Sequence, residues 1–399
     1  MQLVEQHVIE RNHPFFAEID LAAFASKNLF NAVNYEIRQS FIFQNIWLRY
    51  EDLAGKFKSH EAFKNLPAKV AQQTMMLLDK SWKSFFAAIK EWSIHPDKFL
   101  GRPALPKYKH KTEGRNILVY SSQAVSQKLL RIGQIKLSGL SFHVKTRQKN
   151  VDQVRIVPRK GFYVIEIIYS VDEKPANVDK NLVAGIDLGV NNFAVIASNK
   201  PGFMPLVVKG GPLKSINQFY NKRKADLQKY LPGKRETSNL IVRLSNNRTR
   251  RFNQFMHVAS RRIVDHLVSE AIGTLVIGKN DGWKQESNMR KQSNQNFVQL
   301  PHARFIEMLT YKCQLVGVQV ITNNESHTSK CSFLDSEPVK HQDKYAGKRK
   351  KRGLFVSADG TKINADLNGA YNIIRKAIPA AFSQGIEGVV VHPVPFGYK

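Results

Sequence analysis

Short apolar runs alternate with long helical patterns over residues 182–377, and this alternation restricts the fold more than any other feature of the chain. The runs at 182–190 and 193–198 are predicted to be two strands joined by a tight turn at Asn191-Asn192. Helices are predicted next at 240–272, 301–316 and 367–377, with buried strands at 274–277 and 318–322. A hairpin followed by alternating helices and strands is typical of an α/β layer domain.

The N-terminal part of the chain has a different pattern, in which helices come first and short strands follow. A strand and the segment that leaves it are predicted through about Asp20, then a helix at 21–39 and a helix of stronger apolar periodicity after Pro67. Residues 95–112 are rich in Pro, Gly and Lys, which indicates a connection between domains. Apolar runs separated by turn residues between 116 and 171 predict a small β-barrel or sandwich.

The charge of the chain points to a polyanionic partner. Its 399 residues include 61 Lys and Arg against 32 Asp and Glu, a formal net charge of +29. Because such a charge repels itself, nucleic acid explains it better than the alternative of a highly soluble enzyme with a charged surface. No run of about 18 apolar residues predicts a membrane span, and the N-terminus lacks the layout of a secretory signal. With Cys313 and Cys331 as the only cysteines, we expect a reducing compartment, the cytoplasm or a nucleoid, and no four-cysteine zinc site.

Two aspartates of the α/β region are candidate metal ligands. Asp187 interrupts the apolar run 183–190, where a carboxylate needs a partner such as a metal ion or a buried arginine. Asp366 lies at the start of the last predicted helix, where it is either a ligand or an ordinary N-cap residue. Hydrolysis of phosphodiesters by two metal ions needs carboxylates from separate elements, and hard oxygen ligands favour Mg²⁺ or Mn²⁺.

Three motifs occur in an order that resembles the TnpB family of transposon-associated RNA-guided nucleases, relatives of the compact type V CRISPR effectors. The motifs are Gly185-Ile186-Asp187-Leu188-Gly189, Thr328-Ser329-Lys330-Cys331-Ser332 and Asp366-Leu367-Asn368-Gly369-Ala370-Tyr371-Asn372-Ile373. The likeness covers most of the chain, from about Ala22-Ala23 to the closing helix.

The resemblance implies an α/β protein with an added β-barrel and helical lobe. Its parts would be an RNase H-like (RuvC) nuclease domain, an N-terminal wedge β-barrel and an inserted helical recognition domain. The boundaries expected are 1–20 with 109–180 for the barrel, 21–108 for the helical lobe and 181–325 with 361–380 for the nuclease domain. Residues 326–360 would form a basic insertion that binds the target nucleic acid, and 381–399 a C-terminal tail.

The same resemblance implies a metal-dependent DNA endonuclease. The chain would carry a guide RNA from a transposon end or a CRISPR-like array and cut double-stranded DNA beside a short flanking motif. Guide pairing would supply the sequence specificity while the protein grips phosphates, which suits the +29 charge. Neither a membrane nor a small-molecule substrate is expected. Asp187 and Asp366 would be the first and last ligands of Mg²⁺ or Mn²⁺.

The chain departs from the family pattern at the third metal ligand. The family places a Glu directly after the strand that corresponds to 275–277, and this sequence has Gly278 there. One hypothesis is a nuclease-dead, RNA-guided DNA-binding repressor. The other is that a different glutamate fills the role. Glu325, which follows the strand at 318–322, is favoured for that role over Glu286, which lies in a polar loop.

A second departure concerns the zinc finger that family members often carry between positions 325 and 366. Two Cys-x-x-Cys pairs are expected there, and this sequence has only Cys331. The region of the second pair holds Ser357, Asp359 and Gly360, and His341 is an isolated candidate. No structural zinc is therefore expected. The lysines and arginines of 344–352 would form either a disordered solvated loop or a guide for the target strand.

Ten residues are candidate nucleic-acid contacts. Lys69 and Gln73, one helical turn apart, are candidate readers of the flanking motif, and the remaining candidates are Arg248, Arg250, Arg251, Arg261, Lys348, Arg349, Lys350 and Lys351. A junction resolvase or DNA-joining transposase would explain the carboxylates as well. It would leave the N-terminal helical lobe and β-barrel without a role.

Overall fold

A computed structural model describes residues 1–233, 235–279 and 298–395. The chain divides into two compact units, Met1–Val171 and Asp172–Lys399. Within the described ranges, no helix is both long enough and apolar enough to cross a membrane. The division agrees with the change of pattern in the sequence, and the finer domain boundaries stay predictions.

Two long helices form the centre of the first unit. Its helices are α1 (Phe16–Gln44), α2 (Tyr50–Phe57), α3 (Glu61–Lys64), α4 (Ala68–Ile94) and α5 (Gln127–Leu130). The fully buried Trp82 of α4 packs against α1 and donates from Nε1 to Asn34 Oδ1 at 3.0 Å. Helix α1 begins five residues before the predicted start at 21, because its first turn places Ile19 in the core and the partly buried Phe16 against it.

The strands of the first unit form an antiparallel sheet and a separate hairpin. The strands are β1 (Gln2–Glu10), β2 (Leu118–Ser121), β3 (Gln134–Lys136), β4 (His143–Lys145), β5 (Gln153–Arg159) and β6 (Phe162–Ser170). The sheet order is β1-β6-β5-β2, and β3 pairs with β4. These strands confirm the short runs predicted between 116 and 171.

The Pro- and Lys-rich segment that was predicted to be a connection lies along α1. Backbone groups of residues 106–111 bond to α1 side chains at 2.6 to 3.0 Å. The side chains recur about once per helical turn and are Lys27, Asn31, Asn34 and Arg38. Each satisfies backbone polar groups that the extended segment cannot pair with itself. The segment is therefore fixed to the helix.

A mixed six-stranded sheet lies at the centre of the second unit. Its strands are β7 (Asp179–Leu188), β8 (Asn192–Ser198), β9 (Leu206–Lys209), β10 (Ile272–Gly278), β11 (Gln319–Asn323) and β15 (Val394–Pro395). The order is β11-β10-β7-β8-β9-β15. β7, β8 and β9 are antiparallel, whereas β10 runs parallel to both β7 and β11. A smaller sheet contains β12 (Lys348–Lys351), β13 (Leu354–Val356) and β14 (Lys362–Ile363).

Helices cover both faces of the large sheet. They are α6 (Gly211–Lys229), α7 (Asn239–Ser269), α8 (His302–Leu315) and α9 (Ala365–Ala377). The predicted hairpin, the three later helices and the two later strands are confirmed. Strand β9 and helix α6 were missed, because β9 is only four residues long and α6 is interrupted by many polar residues.

Alternation along the strands assigns each side chain to one of these faces. Ala184, Ile186 and Leu188 of β7 join the core cluster that contains residues of α7 and α8. Val183 joins the cluster formed with α9. Because side chains alternate along a strand, Asp187 belongs to the α9 face.

Candidate functional site

Asp187 lies at the carboxyl end of β7 and faces the start of α9. A Cβ placed on Gly369 would lie 2.8 Å from Asp187 Oδ2, so glycine is what allows this carboxylate to sit against the helix. The side chain is partly accessible to solvent. Among the described residues, no hydrogen-bond donor reaches it. No arginine of the described ranges therefore donates to it, which leaves the metal ion as the other of the two partners considered for Asp187.

Asp366 is in the first turn of α9, but it does not cap the helix. The N-cap residue is Asn364, whose side-chain oxygen accepts the Asp366 and Leu367 N–H groups at 3.0 and 3.1 Å. The Asp366 carboxylate instead accepts from Asn192 Nδ2 at 2.8 Å and pairs with Arg349 at 3.1 Å. The capping explanation for Asp366 is thus removed.

Glu325 fills the space beside Gly278. The register pairs Ile277 of β10 with Ile186 of β7, so position 278 comes next to Asp187. On its other side, Gly278 pairs with Asn323, two residues before Glu325. A Cβ on Gly278 would lie 2.9 Å from Glu325 Oε2, so the carboxylate of Glu325 lies against Gly278, and its charge acts on Asp187.

Burial disfavours the charged forms of Asp187 and Glu325, and neighbouring acids add to this effect at Asp187. Burial raises the pKa of Asp187 well above its usual value, and the charges of Asp366 and Glu325 raise it further. Burial likewise raises the pKa of Glu325 to about 7, against the opposing charge of Lys376. Three carboxylates that repel one another are costly unless a cation joins them.

The fit of this group to a metal ion rests on the chemistry of its donors. As the side chains stand, no three His, Cys, Asp or Glu residues within the described ranges are close enough together to hold a metal ion. Arg349 is the cation that contacts Asp366. The donors are carboxylate oxygens, the ligands that Mg²⁺ and Mn²⁺ prefer, and they carry an excess of negative charge.

The predicted nucleic-acid contacts on α7 differ in the bonds that they make within the protein. Arg248 is half-buried, donates to Asn217 Oδ1 at 2.6 Å and to the Gln299 carbonyl oxygen at 3.1 Å, and lies over two aromatic rings. Arg261 pairs with Asp265 one turn later at 2.9 Å. Arg251 is exposed and borders, with Arg250, a cavity of about 560 Å³ between α6 and α7. A structural role is clearest for Arg248.

The other predicted contacts lie on exposed surfaces. Residues 348–351 form β12, whose four side chains are all exposed, so this basic segment is a strand and not a disordered loop. The charge of Lys348 lowers the pKa of Lys350, as expected where cations crowd without an anion. Lys69 is exposed and Gln73 half-buried in the first two turns of α4. Their role as motif readers stays a prediction.

Two parts of the site were not found from the sequence. Asn192 was interpreted only as a turn residue, and nothing in its flanking residues shows that it donates to Asp366. Arg349 was predicted to contact nucleic acid, and the structure additionally places it on Asp366. Glu286, the alternative third ligand, lies outside the described residues.

Comparisons with known proteins agree with the motifs. Residues 166–284 match a family described as "Probable transposase" (OrfB_IS605), and residues 302–373 match one described as "Cas12f1-like, TNB domain". The TnpB-like protein ORF457 of Acidianus two-tailed virus is 25% identical over 92% of this chain and 83% of its own length. The CRISPR-associated endodeoxyribonuclease Cas12f1 of Sulfoacidibacillus thermotolerans is 24% identical over 60% of this chain and 56% of its own length.

A solved structure extends the likeness to the fold. The cryo-EM structure of a Cas12f1–sgRNA–target DNA complex aligns with a TM-score of 0.55 at 14% identity, over 89% of this chain and 81% of that chain. At this identity the match establishes the fold alone. The chain has a fold like that of the Cas12 effectors.

Proposed function

Because residues 166–284 and 302–373 match two family models and the chain is similar to a TnpB-like protein, we propose that it belongs to the TnpB family. In this proposal it is an RNA-guided DNA endonuclease that hydrolyses phosphodiester bonds with Mg²⁺ or Mn²⁺. Its relatives include endodeoxyribonucleases, which supports a nuclease in general. The metal-ion mechanism, the flanking motif and the guide RNA from a transposon end or CRISPR-like array are the finer parts of the proposal. The cytoplasm or nucleoid is its proposed location.

One observation carries the proposal, the position of Glu325 in the space that Gly278 leaves open. A glutamate at 278 would stand beside Asp187, and the Glu325 carboxylate reaches that place from the next strand. The site thereby keeps three carboxylates, Asp187, Glu325 and Asp366, in spite of the missing family residue. A chain that had lost nuclease activity would have no reason to keep this costly set of acids together.

The sheet of the second unit supports an RNase H-like (RuvC) interpretation. Three antiparallel strands are followed by two strands parallel to β7, and Asp187 and Glu325 lie at or just beyond the carboxyl ends of their strands. We interpret the sheet β1-β6-β5-β2 with the β3–β4 hairpin as the wedge barrel, and α1 to α4 as the helical recognition lobe.

The residues of the site have separable roles in the proposed reaction. Asp187, Glu325 and Asp366 would hold the metal ions, and Asn192 would orient Asp366 through its hydrogen bond. Bound metal ions supply Lewis-acid activation of water and stabilisation of the leaving oxygen. Arg349, which pairs with Asp366, would contact the phosphate that is cut through its guanidinium group.

The charge of the chain supports nucleic acids as the partners. The net charge of +29 suits a protein that grips a guide–target heteroduplex and a displaced strand through phosphates. The basic strand β12 lies next to the carboxylates through Arg349 and is proposed to lead the target strand to them. Lys69 and Gln73 are proposed readers of the flanking motif.

A reconstitution experiment tests the function. The chain is purified with its native flanking RNA and mixed with a plasmid library of flanking motifs, with and without Mg²⁺. We expect a discrete co-purifying RNA and Mg²⁺-dependent cut ends for the wild type, and no cut ends for Asp187→Ala or Glu325→Ala. Asp172→Asn, at an exposed acid outside both the site and the proposed target-binding insertion, is the matched control and should cut like the wild type.

Each failure of this experiment has a distinct meaning. Normal cutting by Glu325→Ala would show that another acid is the third ligand. If the wild type binds guide and target and never cuts, the chain is the RNA-guided repressor considered above. If no RNA is bound, the proposed function is wrong altogether.

A further inference from the structure

The segment between Glu325 and Asp366 is folded although it lacks the donors of a zinc site. We call residues 328–363 the knuckle. Its one sulfur ligand is Cys331, and burial raises the pKa of that thiol, which favours the protonated form that zinc does not bind. Cys331 Sγ lies 3.4 Å from the carbonyl oxygens of Pro338 and Lys340. A structural zinc ion does not fit these residues, so another interaction must hold the knuckle together.

Asp335 joins the two turns in which the family carries its cysteine pairs. It lies in the turn after Cys331, and both of its carboxylate oxygens accept the Ala358 N–H, at 3.2 and 3.0 Å. Ala358 belongs to the second turn, which the Thr361 N–H closes by donating to Asp359 at 2.9 Å. A carboxylate on one turn thus binds the backbone of the other.

Glu337 makes a second cross-link inside the knuckle. It is 7% exposed, and its two oxygens accept the Ser332 N–H at 2.6 Å and the Ala346 N–H at 3.0 Å. The bond therefore connects the first turn to the chain that enters β12. Hydrogen bonds from N–H groups to a charged acceptor are stronger than bonds between neutral groups. Loss of the Glu337 carboxylate would remove the acceptor that it provides to both N–H groups.

We propose that Asp335 and Glu337 together replace the structural zinc ion, so that the knuckle of this chain folds without metal. A zinc ion would hold two turns together through four thiolates, and here two carboxylates hold the same turns and the entry to β12 through backbone N–H groups. The inference concerns folding only and does not depend on the proposed nuclease activity.

The cross-linked knuckle is bound to the helix that carries Asp366. Asn368 donates to the Cys331 carbonyl oxygen at 2.9 Å and accepts the Phe333 N–H at 2.9 Å. Asn372, also fully buried, donates to the same carbonyl oxygen at 2.7 Å. Because Glu337 fixes the chain just before β12, the knuckle holds Arg349 in place beside Asp366.

Zinc content and amide exchange test the proposal on the full chain. We expect purified wild type to contain far less than one zinc per chain by mass spectrometry of the metals. A zinc-selective chelator should leave the exchange of the Ser332, Ala346 and Ala358 amides unchanged. In Glu337→Gln, which keeps the shape and loses one acceptor, the Ser332 and Ala346 amides should exchange at least about tenfold faster.

Matched variants separate the cross-links from a general loss of charge. Asp335→Asn should speed exchange at Ala358 chiefly, whereas the exposed Asp343→Asn in the same segment should change none of these amides. One zinc per chain, or faster exchange of the wild type in chelator, would overturn the proposal. So would an equal effect of Asp343→Asn and Glu337→Gln. If Glu337→Gln fails to fold, the wild-type chelator experiment and Asp335→Asn still decide the question, and none of these results bears on DNA cleavage.

Discussion

The pairing of Gly278 with Glu325 can be measured as a coupling free energy. In the wild type, Gly278→Ala would place a Cβ 2.9 Å from Glu325 Oε2 and 2.7 Å from Ile373 Cδ1. Overpacking of this kind costs about 1–3 kcal/mol of the free energy of unfolding. Glu325→Ala removes the contact with Oε2. The contacts with the Cβ of residue 325 at 3.3 Å and with Ile373 Cδ1 remain, and the terminal methyl of Ile373 can shift. The cost of Gly278→Ala should then fall by about 1 kcal/mol, a typical coupling between residues in contact.

Urea denaturation of the four proteins in EDTA measures this cycle. Gly273→Ala in the same strand is the matched control, because its Cβ would collide with the backbone of Asp179 at 2.6 Å and not with Glu325. Its cost should be the same with and without Glu325. If the costs of Gly278→Ala in the two backgrounds agree within about 0.5 kcal/mol, Glu325 does not occupy this space and our reasoning about the site fails.

The same pair gives a test by cleavage. The register places position 278 beside Asp187, so Gly278→Glu combined with Glu325→Ala returns a carboxylate to the family position. This double variant should cut DNA measurably more than Glu325→Ala alone. Gly278→Glu alone should be inactive and destabilised, because two glutamates would then compete for one space. No recovery in a double variant that folds and binds RNA would contradict the proposed equivalence of the two positions.

Three further predictions follow from the site and its surroundings. The pKa of Glu325 in the folded protein is raised to about 7, so without metal the folded state favours the protonated form of this side chain. Its contribution to stability is therefore complete below the unfolded pKa and is lost as pH rises through about 7. The increase in Tm that Mg²⁺ causes should therefore become larger between about pH 6 and 8, as Glu325 loses its proton. In Glu325→Gln this increase should depend less on pH. Arg248→Ala should lower the free energy of unfolding by about 1–3 kcal/mol, because Arg248 bonds within the protein. Arg251→Ala should leave the free energy of unfolding unchanged and lower the salt dependence of nucleic-acid binding by about one phosphate contact. Equal effects of the two substitutions would contradict a structural role for Arg248 and a binding role for Arg251. Gly369→Ala should fold and bind RNA but lose Mg²⁺-dependent cleavage, because its Cβ would lie 2.8 Å from Asp187 Oδ2; full activity would show that the contact is unimportant.

The sequence alone predicted the class of fold and named the candidate acids of the site. Periodicity over 182–377 predicted the hairpin and the later helices and strands, because apolar spacing reports directly which face of an element is buried. The net charge of +29 predicted a polyanionic partner without any knowledge of the fold. The motifs around Asp187 and Asp366 indicated a resemblance with which the comparisons agree.

The tertiary structure decided what these residues contact. It assigned the capping of α9 to Asn364, gave Asp366 the partners Asn192 and Arg349, and brought Glu325 into the space beside Gly278. None of these could be read from the chain, because each joins residues far apart in sequence whose distance depends on strand register and helix packing. A register fixes which side chains of neighbouring strands are adjacent, and a local pattern carries no information on that choice.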